Sequence, residues 1–370
     1  MPLSHIEPAR YDALLQEKVE KTRALLAPFD APPPDVVSSA PTGYRLRAEF
    51  RMWHDGDALD YVMYRRDDPR TPVPINAFPP ADPGIQVLMP VLQSHLANSD
   101  TLRRKLFQVE FLATLSGQML VTLAYHRKLD ETWEAAISQL RDELSKEYPA
   151  LSFVGRSRKQ KLVIGDDFVT EVLPVRGRDY RFRQYEQAFT QPNGRVNIRI
   201  IEWACERAGG CPGDLLELYC GNGNFTLPLS THFPHVIATE LSKTSVKAAR
   251  ENIADNGTTN IELVRLSAQE TAEAMAGART FRRLAGLPRP LPDYDLKTLF
   301  VDPPRAGLDD DTVKLAAGFE HILYISCNPE TLAANLETLA HSHRVARFAL
   351  FDQFPYTHHM ECGMHLVRRD

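Results

Sequence analysis

The sequence has no uninterrupted apolar run near the ~20 residues that a membrane-spanning helix needs. Its beginning, MPLSHIEPARYD, also lacks the basic and then apolar segments of a secretory signal peptide. We therefore expect a soluble, cytoplasmic protein that has no membrane partner.

Cysteine is scarce and confined to one half of the chain. The sequence contains five cysteines, none of them before residue 205, and no CxxC pair. Closely spaced cysteines are the usual signature of zinc and iron–sulfur sites, whereas disulfide frameworks need an oxidising compartment. The pattern predicts no metal site and a reducing environment.

An excess of positive charge is missing as well. The formal net charge is −5, of which residues 1–190 contribute −1 and residues 191–370 contribute −4. Attraction to phosphate depends on where cations cluster as well as on their sum. Any binding of nucleic acid must therefore rely on local basic patches.

The length and patterning that are present indicate two domains. A chain of 370 residues is longer than one hydrophobic core usually serves. In the first half, YRLRAEFRMW at 44–53 alternates apolar residues with mostly basic ones, which predicts a strand with a basic outer face. The other predicted elements are an exposed helix over 9–27, hairpins turning at 55–56 and 116–117, an amphipathic helix over 131–147 and strands within 151–185. This half is predicted to be α+β, with an antiparallel sheet.

The second half changes character near residue 190, where strands begin to alternate with helices. The predicted strands are 214–219, 235–239, 261–264, 297–301 and 321–326, and the main helices are 192–207, 242–256 and 329–340. Such alternation predicts an α/β domain with a parallel, doubly wound sheet. Residues 276–296, rich in arginine and proline, are predicted to form a basic loop.

A glycine loop follows the first of these strands, in DLLELYCGNGNF at 214–225. Open α/β sheets bind cofactors at the carboxyl ends of their strands, and Gly221 and Gly223 allow close backbone approach there. Glu240 ends the next strand and is placed to accept both hydroxyls of a ribose. Nicotinamide dinucleotides and S-adenosylmethionine both fit this pattern. The absence of a third glycine favours the sulfonium nucleoside, which has no pyrophosphate.

Three further motifs place reactive side chains at or after strand ends. VDPPR at 301–305 directs Asp302 toward the same crevice, and YISCNPETL at 324–332 places Cys327 before a helix, whose positive end favours a thiolate. PYTHHMECGMHL at 355–366 concentrates histidine, cysteine and glutamate, but its spacing matches no metal motif. We predict that Glu361 acts there as a proton acceptor.

In this order, YCGNGNF, FVDPPR, ISCNPETL and HHMECG resemble the S-adenosylmethionine-dependent RNA uracil-5-methyltransferases. FTQPN at 189–193 and LFDQFPYTHHMECG resemble the tRNA branch, which methylates the T-loop uridine at position 54. The resemblance implies a Rossmann-like class I methyltransferase domain over 186–370, preceded by an α+β RNA-recognition domain over 1–185.

The resemblance also implies roles for individual residues. Cys327 is the expected nucleophile, which adds to uracil C6, and Glu361 is the expected proton acceptor. The residues expected to contact S-adenosylmethionine are Gln191, Tyr219, Asn224, Glu240 and Asp302.

The RNA partner is expected to be the T arm of tRNA. The target uridine must be flipped out of the T loop, and the protein must compensate for its lost stacking through aromatic contacts and contacts with phosphates. The candidates for these contacts are Arg51, Phe107, His126, Arg156, Arg158, Lys159 and Lys161. Two alternatives stay open. One is the same chemistry on ribosomal or another structured RNA, and the other is an RNA-binding or RNA-folding module whose methylation is secondary.

Overall fold

The computed structural model describes residues 6–65, 68 and 70–369, and the chain divides into two compact units. Among the described residues, unit 1 contains 6–9, Ala40–Val172 and Arg183–Gly194. Unit 2 contains Arg10–Ser39, Leu173–Phe182 and the chain from Arg195 onward. Residues 10–39 and 173–182 therefore lie in unit 2, and 186–194 lie in unit 1. A boundary between functional domains at residue 185 stays a prediction.

The regular elements of the described residues are as follows. The α-helices are α1 Tyr11–Leu26, α2 Pro83–Ala97, α3 Asp100–Arg103, α4 Glu131–Leu144, α5 Gly194–Ala208, α6 Thr226–Leu229, α7 Lys243–Asp255, α8 Ala268–Met275, α9 Asp310–Ala316 and α10 Pro329–Leu339. The strands up to residue 185 are β1 Asp35–Val37, β2 Arg47–Asp55, β3 Ala58–Tyr64, β4 Pro72–Pro74, β5 Leu106–Ala113, β6 Met119–Tyr125, β7 Leu151–Ser157, β8 Gln160–Ile164, β9 Phe168–Val175 and β10 Arg178–Tyr185. Those that follow are β11 Asp214–Leu218, β12 Val236–Thr239, β13 Ile261–Val264, β14 Leu296–Val301, β15 His321–Ser326, β16 His343–Phe351 and β17 Glu361–Arg368.

Unit 1 is built on a sheet with the strand order β4-β3-β2-β5-β6-β7-β8. The alternation read from 44–53 is confirmed, because Tyr44, Leu46, Ala48, Phe50 and Met52 are all buried. The expectation of an antiparallel sheet is wrong for one pair, since β6 and β7 run parallel. A parallel pair needs a crossover connection, and α4 supplies it.

Helix α4 lies unusually close to the sheet of unit 1. Trp133, on this helix, is fully buried, and a Cβ added to Gly155 on β7 would lie 2.3 Å from its ring. No side chain larger than hydrogen fits at residue 155 without displacing the indole. The sequence pattern missed α2, an apolar helix that begins with Pro83 and is capped by the Asp82 side chain.

Unit 2 is built on a sheet with the strand order β1-β16-β17-β15-β14-β11-β12-β13. The strands from β15 to β13 run parallel, as predicted, and their order reverses between β11 and β14. That reversal leaves a crevice at the carboxyl ends of the strands, where open α/β sheets bind ligands. The prediction of a purely parallel sheet is wrong at β17, which pairs antiparallel with both β15 and β16.

Two other sequence predictions are corrected by the structure. The helix expected over 9–27 is not an exposed one, because α1 buries Val19 and Leu26 in the core of unit 2. The basic loop at 276–296 contains two short 3-10 helices, Arg282–Gly286 and Leu291–Asp293. Within the described residues, no helix has the length and apolar character needed to cross a membrane. Residues 1–5, part of the segment searched for a signal peptide, lie outside the described residues.

Candidate active site

The carboxyl edge of the unit 2 sheet gathers the predicted reactive side chains. Asp302 directly follows β14 and Cys327 directly follows β15. Glu361 begins β17, and the register that pairs Ser326 with Cys362 places Glu361 at the end of β15. The antiparallel direction of β17 is what brings its first residue to the edge where the parallel strands end.

Two carboxyl groups at this edge disfavour each other's ionisation. Glu361 is only 2% exposed, and its pKa lies well above the usual value because of burial and the nearby charge of Asp302. Burial also raises the pKa of Asp302 to about 7. Like charges in a partly dry site cannot both form easily, so near neutral pH the pair retains a proton.

The state of Cys327 differs from the thiolate favoured by the sequence pattern. Burial, followed by the charges of Glu361 and Asp302, raises the pKa of this thiol to about 11, and the Arg305 guanidinium only partly opposes them. One of the free N–H groups at the positive end of α10, that of Glu330, already donates a hydrogen bond to the Asn328 side chain. This N–H is therefore not free to stabilise a thiolate. In the free protein Cys327 is therefore a thiol.

The glycine loop after β11 is held in a defined shape by Glu240. One carboxylate oxygen of Glu240 accepts a 3.0 Å hydrogen bond from the Gly221 N–H, and the other accepts a 2.7 Å bond from the Ser242 N–H. Tyr219 and Gly221 adopt positive φ angles of 61° and 58°. The loop thus turns sharply beside a carboxylate that retains free lone pairs for a ligand.

Asn224 is fixed at the other side of the same loop. Its side-chain amide exchanges two hydrogen bonds, of 2.9 and 3.0 Å, with the amide of Asn197 on α5. Sequence reasoning did not single out Asn197, and an asparagine inside a helix is a weak signal by itself. Leu241 was missed too, although it is 54% exposed and directly follows Glu240.

A cavity of about 430 Å³ in unit 2 is lined by residues adjacent in sequence to this edge. Arg305, Asn328 and His359 contribute from the loops around Asp302, Cys327 and Glu361. The opposite wall belongs to α1 and includes Lys18, whose ammonium group lies 2.5 Å from a carboxylate oxygen of Asp352. Sequence reasoning missed this wall, because α1 was predicted to be an exposed helix.

An aromatic platform lies on the sheet of unit 1. The rings of Phe107 and His126 stack with centroids 3.9 Å apart and planes 9° from parallel. The Arg51 guanidinium lies 5.4 Å from the Phe107 centroid and donates a 2.7 Å hydrogen bond to the Gln108 side chain. The structure therefore brings together three residues that sequence reasoning selected separately.

The predicted basic segment around β7 and β8 is divided in its interactions. Arg156 donates two hydrogen bonds to the buried Glu186 carboxylate, and Lys161 lies 2.6 Å from a carboxylate oxygen of Asp167. Arg158 and Lys159 occupy the exposed turn between the strands. Two of the four predicted basic residues, Arg156 and Lys161, therefore already pair with carboxylates of the protein.

Gln191 lies in unit 1, in the segment before α5, and its contact with a cofactor stays a prediction.

The fold is shared with a solved enzyme structure. The crystal structure of Pyrococcus abyssi tRNA (uracil-54, C5)-methyltransferase in complex with S-adenosyl-L-homocysteine matches with a TM-score of 0.73 at 20% sequence identity. The match covers 99% of this chain and 85% of that chain. The match shows that this chain has a Rossmann-like α/β fold, in which the crevice at the strand ends lies where such folds bind ligands.

Sequence comparisons give the family. The profile described as tRNA (uracil-5-)-methyltransferase matches residues 10–369. The tRNA/tmRNA (uracil-C(5))-methyltransferase of Pseudomonas syringae pv. syringae is 56% identical over 363 residues, covering 98% of this chain and 99% of the relative. The same-named protein of Stutzerimonas stutzeri is 56% identical over 369 residues, covering 100% of both chains. The chain belongs to the tRNA (uracil-5-)-methyltransferase family.

These comparisons confirm the family, the enzyme class and the Rossmann-like α/β fold that were predicted from the sequence. The roles of the individual site residues stay predictions.

Proposed function

We propose that this protein transfers a methyl group from S-adenosylmethionine to C5 of the T-loop uridine, position 54, of tRNA. Membership of the family supports uracil C5 as the target atom. The tRNA (uracil-54, C5)-methyltransferase of Pyrococcus abyssi, whose fold this chain shares, supports position 54 and a cofactor of the S-adenosyl class. The observation that carries the proposal is the convergence of Cys327, Glu361 and Asp302 at one sheet edge.

Cys327 begins the reaction by adding its sulfur to C6 of the uracil. This addition is needed because C5 is a poor nucleophile until the new C6–S bond concentrates enolate density there. The thiol must lose its proton first, and the nearby Arg305 guanidinium favours the thiolate that results. When bound, S-adenosylmethionine supplies an electrophilic methyl group on a sulfonium cation.

Glu361 completes the reaction by removing the remaining proton from C5. The carbon–sulfur bond to Cys327 then breaks, which restores the C5–C6 double bond and releases 5-methyluridine. A nearly buried carboxylate suits this step, because weak solvation makes it a stronger base. Because the pair retains a proton near neutral pH, Glu361 acts as the base in those enzyme molecules in which that proton lies on Asp302.

The cofactor is held at the glycine loop by chemically matched groups. Glu240 accepts hydrogen bonds from the ribose hydroxyls with the lone pairs that Gly221 and Ser242 leave free. Leu241 offers an exposed apolar side chain for the adenine. Tyr219, Asn224 and Asp302 border the methionine portion, and Gln191 is a further contact from the segment before α5.

RNA binding uses surfaces of a different kind. A T-loop base must leave its stack before it can reach the cysteine, and aromatic faces compensate for the lost stacking. The Phe107 and His126 stack provides such a face, with Arg51 beside it. Arg156, Arg158, Lys159 and Lys161 supply the basic segment for phosphate contacts.

The test is to map the product on RNA. Unmodified tRNA transcripts are incubated with the enzyme and labelled S-adenosylmethionine, and the methylated nucleoside is located by mass spectrometry after nuclease digestion. We expect 5-methyluridine at position 54, and no label in a transcript with cytidine there. Methylation at another uridine would overturn the T-loop assignment.

Transfer-messenger RNA is a second candidate substrate. The relatives with 56% identity carry the name tRNA/tmRNA (uracil-C(5))-methyltransferase, which favours it over ribosomal RNA. Parallel incubations with transfer-messenger RNA and ribosomal RNA fragments distinguish the two. RNA affinity that is undiminished when Cys327 is replaced would instead be the signature of an RNA-binding or RNA-folding module whose methylation is secondary.

A further inference from the structure

Three potential metal ligands meet in unit 2 on side chains from separate parts of the chain. Cys211 lies in the loop between α5 and β11, His321 begins β15, and His365 lies on β17. Their ligand atoms all lie within 4.8 Å of one another. Nothing in the reaction proposed above uses these residues.

The cluster lies far from the catalytic edge of the same sheet. His321 is the first residue of β15, whereas Cys327 follows its last residue, so a rise of ~3.3 Å per residue separates them by ~20 Å. His365 and Glu361 share one face of β17 but are ~13 Å apart by the same rise. Any ion at this cluster cannot contact the reacting uracil.

We propose that Cys211, His321 and His365 bind a zinc ion. The Cys211 sulfur lies 3.9 Å from Nε2 of His365, and this atom lies 2.9 Å from Nδ1 of His321. Tetrahedral zinc with bonds of ~2.3 Å to sulfur and ~2.0 Å to nitrogen needs separations of ~3.3 to 3.6 Å between such atoms. The two separations above differ from those values by about 0.3 to 0.6 Å, and the remaining pair of ligand atoms, on Cys211 and His321, lies within 4.8 Å.

The types of ligand select zinc among the common divalent ions. A thiolate with two imidazoles suits zinc, whereas magnesium and calcium require oxygen ligands. Three arginine side chains interact electrostatically with His365. Those arginines, Arg207, Arg344 and Arg347, also oppose a cation, and the negative charge of the cysteine thiolate offsets part of that repulsion.

The site has three protein ligands, so a water molecule completes the tetrahedron and the ion can exchange. Cys211 and His321 are each partly exposed, which gives the ion a path to solvent. Zinc would tie the α5–β11 loop to β15 and β17, and so stabilise unit 2. The free-energy gain depends on zinc concentration by mass action.

The test uses the full-length enzyme after treatment with a chelator. Cobalt(II) is titrated first, because a bound thiolate gives a charge-transfer band, and zinc affinity is then measured by competition with a chromophoric chelator. We expect one tight equivalent and a melting temperature that rises with zinc. In Cys211→Ser the band should disappear, and zinc affinity should fall by at least ~10-fold. Loss of a group that only hydrogen-bonds to a metal ligand already costs about that much, so loss of a ligand should cost at least as much.

Two variants serve as controls. Cys327→Ser removes the other partly exposed cysteine near reactive groups, and His341→Ala removes an exposed histidine outside the cluster. Both should retain the cobalt band and the zinc affinity. Circular dichroism checks that Cys211→Ser is folded, and His321→Ala provides a second test of the site. A band that vanishes in Cys327→Ser but persists in Cys211→Ser, or zinc binding unchanged in Cys211→Ser and His321→Ala, would overturn the proposal.

Discussion

The proposed catalytic edge of unit 2 and the basic segment of unit 1 use charged residues in opposite ways. Asp302 and Glu361 lie in a site poor in water, where burial shifts the pKa values of both carboxyl groups. Arg158 and Lys159 lie exposed on a turn, while Arg156 next to them is paired with Glu186. Charges with few solvent contacts interact strongly, whereas exposed pairs are worth about 0 to 1 kcal/mol. Single substitutions should therefore matter far more at the catalytic edge.

The largest effect is expected at Cys327, the proposed nucleophile. Cys327→Ala should reduce methylation below detection, because the proposed bond to uracil C6 forms through the Cys327 sulfur. Cofactor affinity, measured by calorimetry, should stay close to that of the parent, since the thiol acts on the base. Cys205→Ala, which alters a cysteine elsewhere in unit 2, should retain turnover. Methylation by Cys327→Ala at the parental rate contradicts the assignment.

Glu361→Gln should stop the reaction at a later stage. The amide cannot accept the C5 proton, so methyl transfer proceeds but the enzyme stays joined to the methylated RNA. A denaturing gel should show a slowly migrating protein–RNA band, which the exposed control Glu337→Gln should not accumulate. Parental turnover with no such band would mean that another group removes the proton.

Glu240→Ala should weaken binding of S-adenosylmethionine by about 1.5 to 3 kcal/mol, the usual cost of losing a charged hydrogen-bond acceptor. This corresponds to ~10- to 150-fold in affinity. Calorimetry measures it, with Glu262→Ala on β13 as a control. Unchanged affinity in Glu240→Ala would show that the ribose is held by other groups.

The aromatic platform of unit 1 should give an intermediate effect. Phe107→Ala should weaken tRNA binding by about 1 to 3 kcal/mol, the range for losing one stacked base contact. Filter binding at several salt concentrations should show an unchanged salt slope, because no phosphate contact is lost. Phe107→Tyr retains the ring and should bind like the parent. Equal binding by Phe107→Ala removes the platform from the RNA surface.

The smallest effect is expected in the basic segment, and it should differ between two double variants. Removing Arg158 and Lys159 together should lower the magnitude of the salt slope by about 2, roughly one for each phosphate contact. Removing Arg156 and Lys161 should change the slope less, since both already have carboxylate partners. Cofactor affinity should be unaffected in both. If neither slope changes, the arginine-rich loop at 276–296 becomes the better candidate for phosphate contact.

The local sequence pattern was sufficient to predict elements in which buried and exposed positions alternate regularly. The alternation at 44–53 predicted one buried face because strand side chains point to opposite sides of a sheet. Local pattern failed for α1, which was predicted to be an exposed helix, although Val19 and Leu26 pack into the core of unit 2. It also missed β17, because the histidine, cysteine and glycine in 361–368 are not typical of a strand. Only the pairing with β15 and β16 on its two sides makes this segment a strand.

The sequence by itself determined the family, the order of the motifs and the attachment of Asp302 and Cys327 to strand ends, because these depend on residues close together in the chain. The tertiary structure decided what those residues experience. The antiparallel placement of β17 sets Glu361 beside the end of β15, and burial next to two carboxyl groups makes Cys327 a thiol. The tertiary structure also brings Cys211 close to His321 and His365, which are more than a hundred residues away in sequence. Solvation and long-range proximity arise only when distant segments pack, so no local pattern could reveal them.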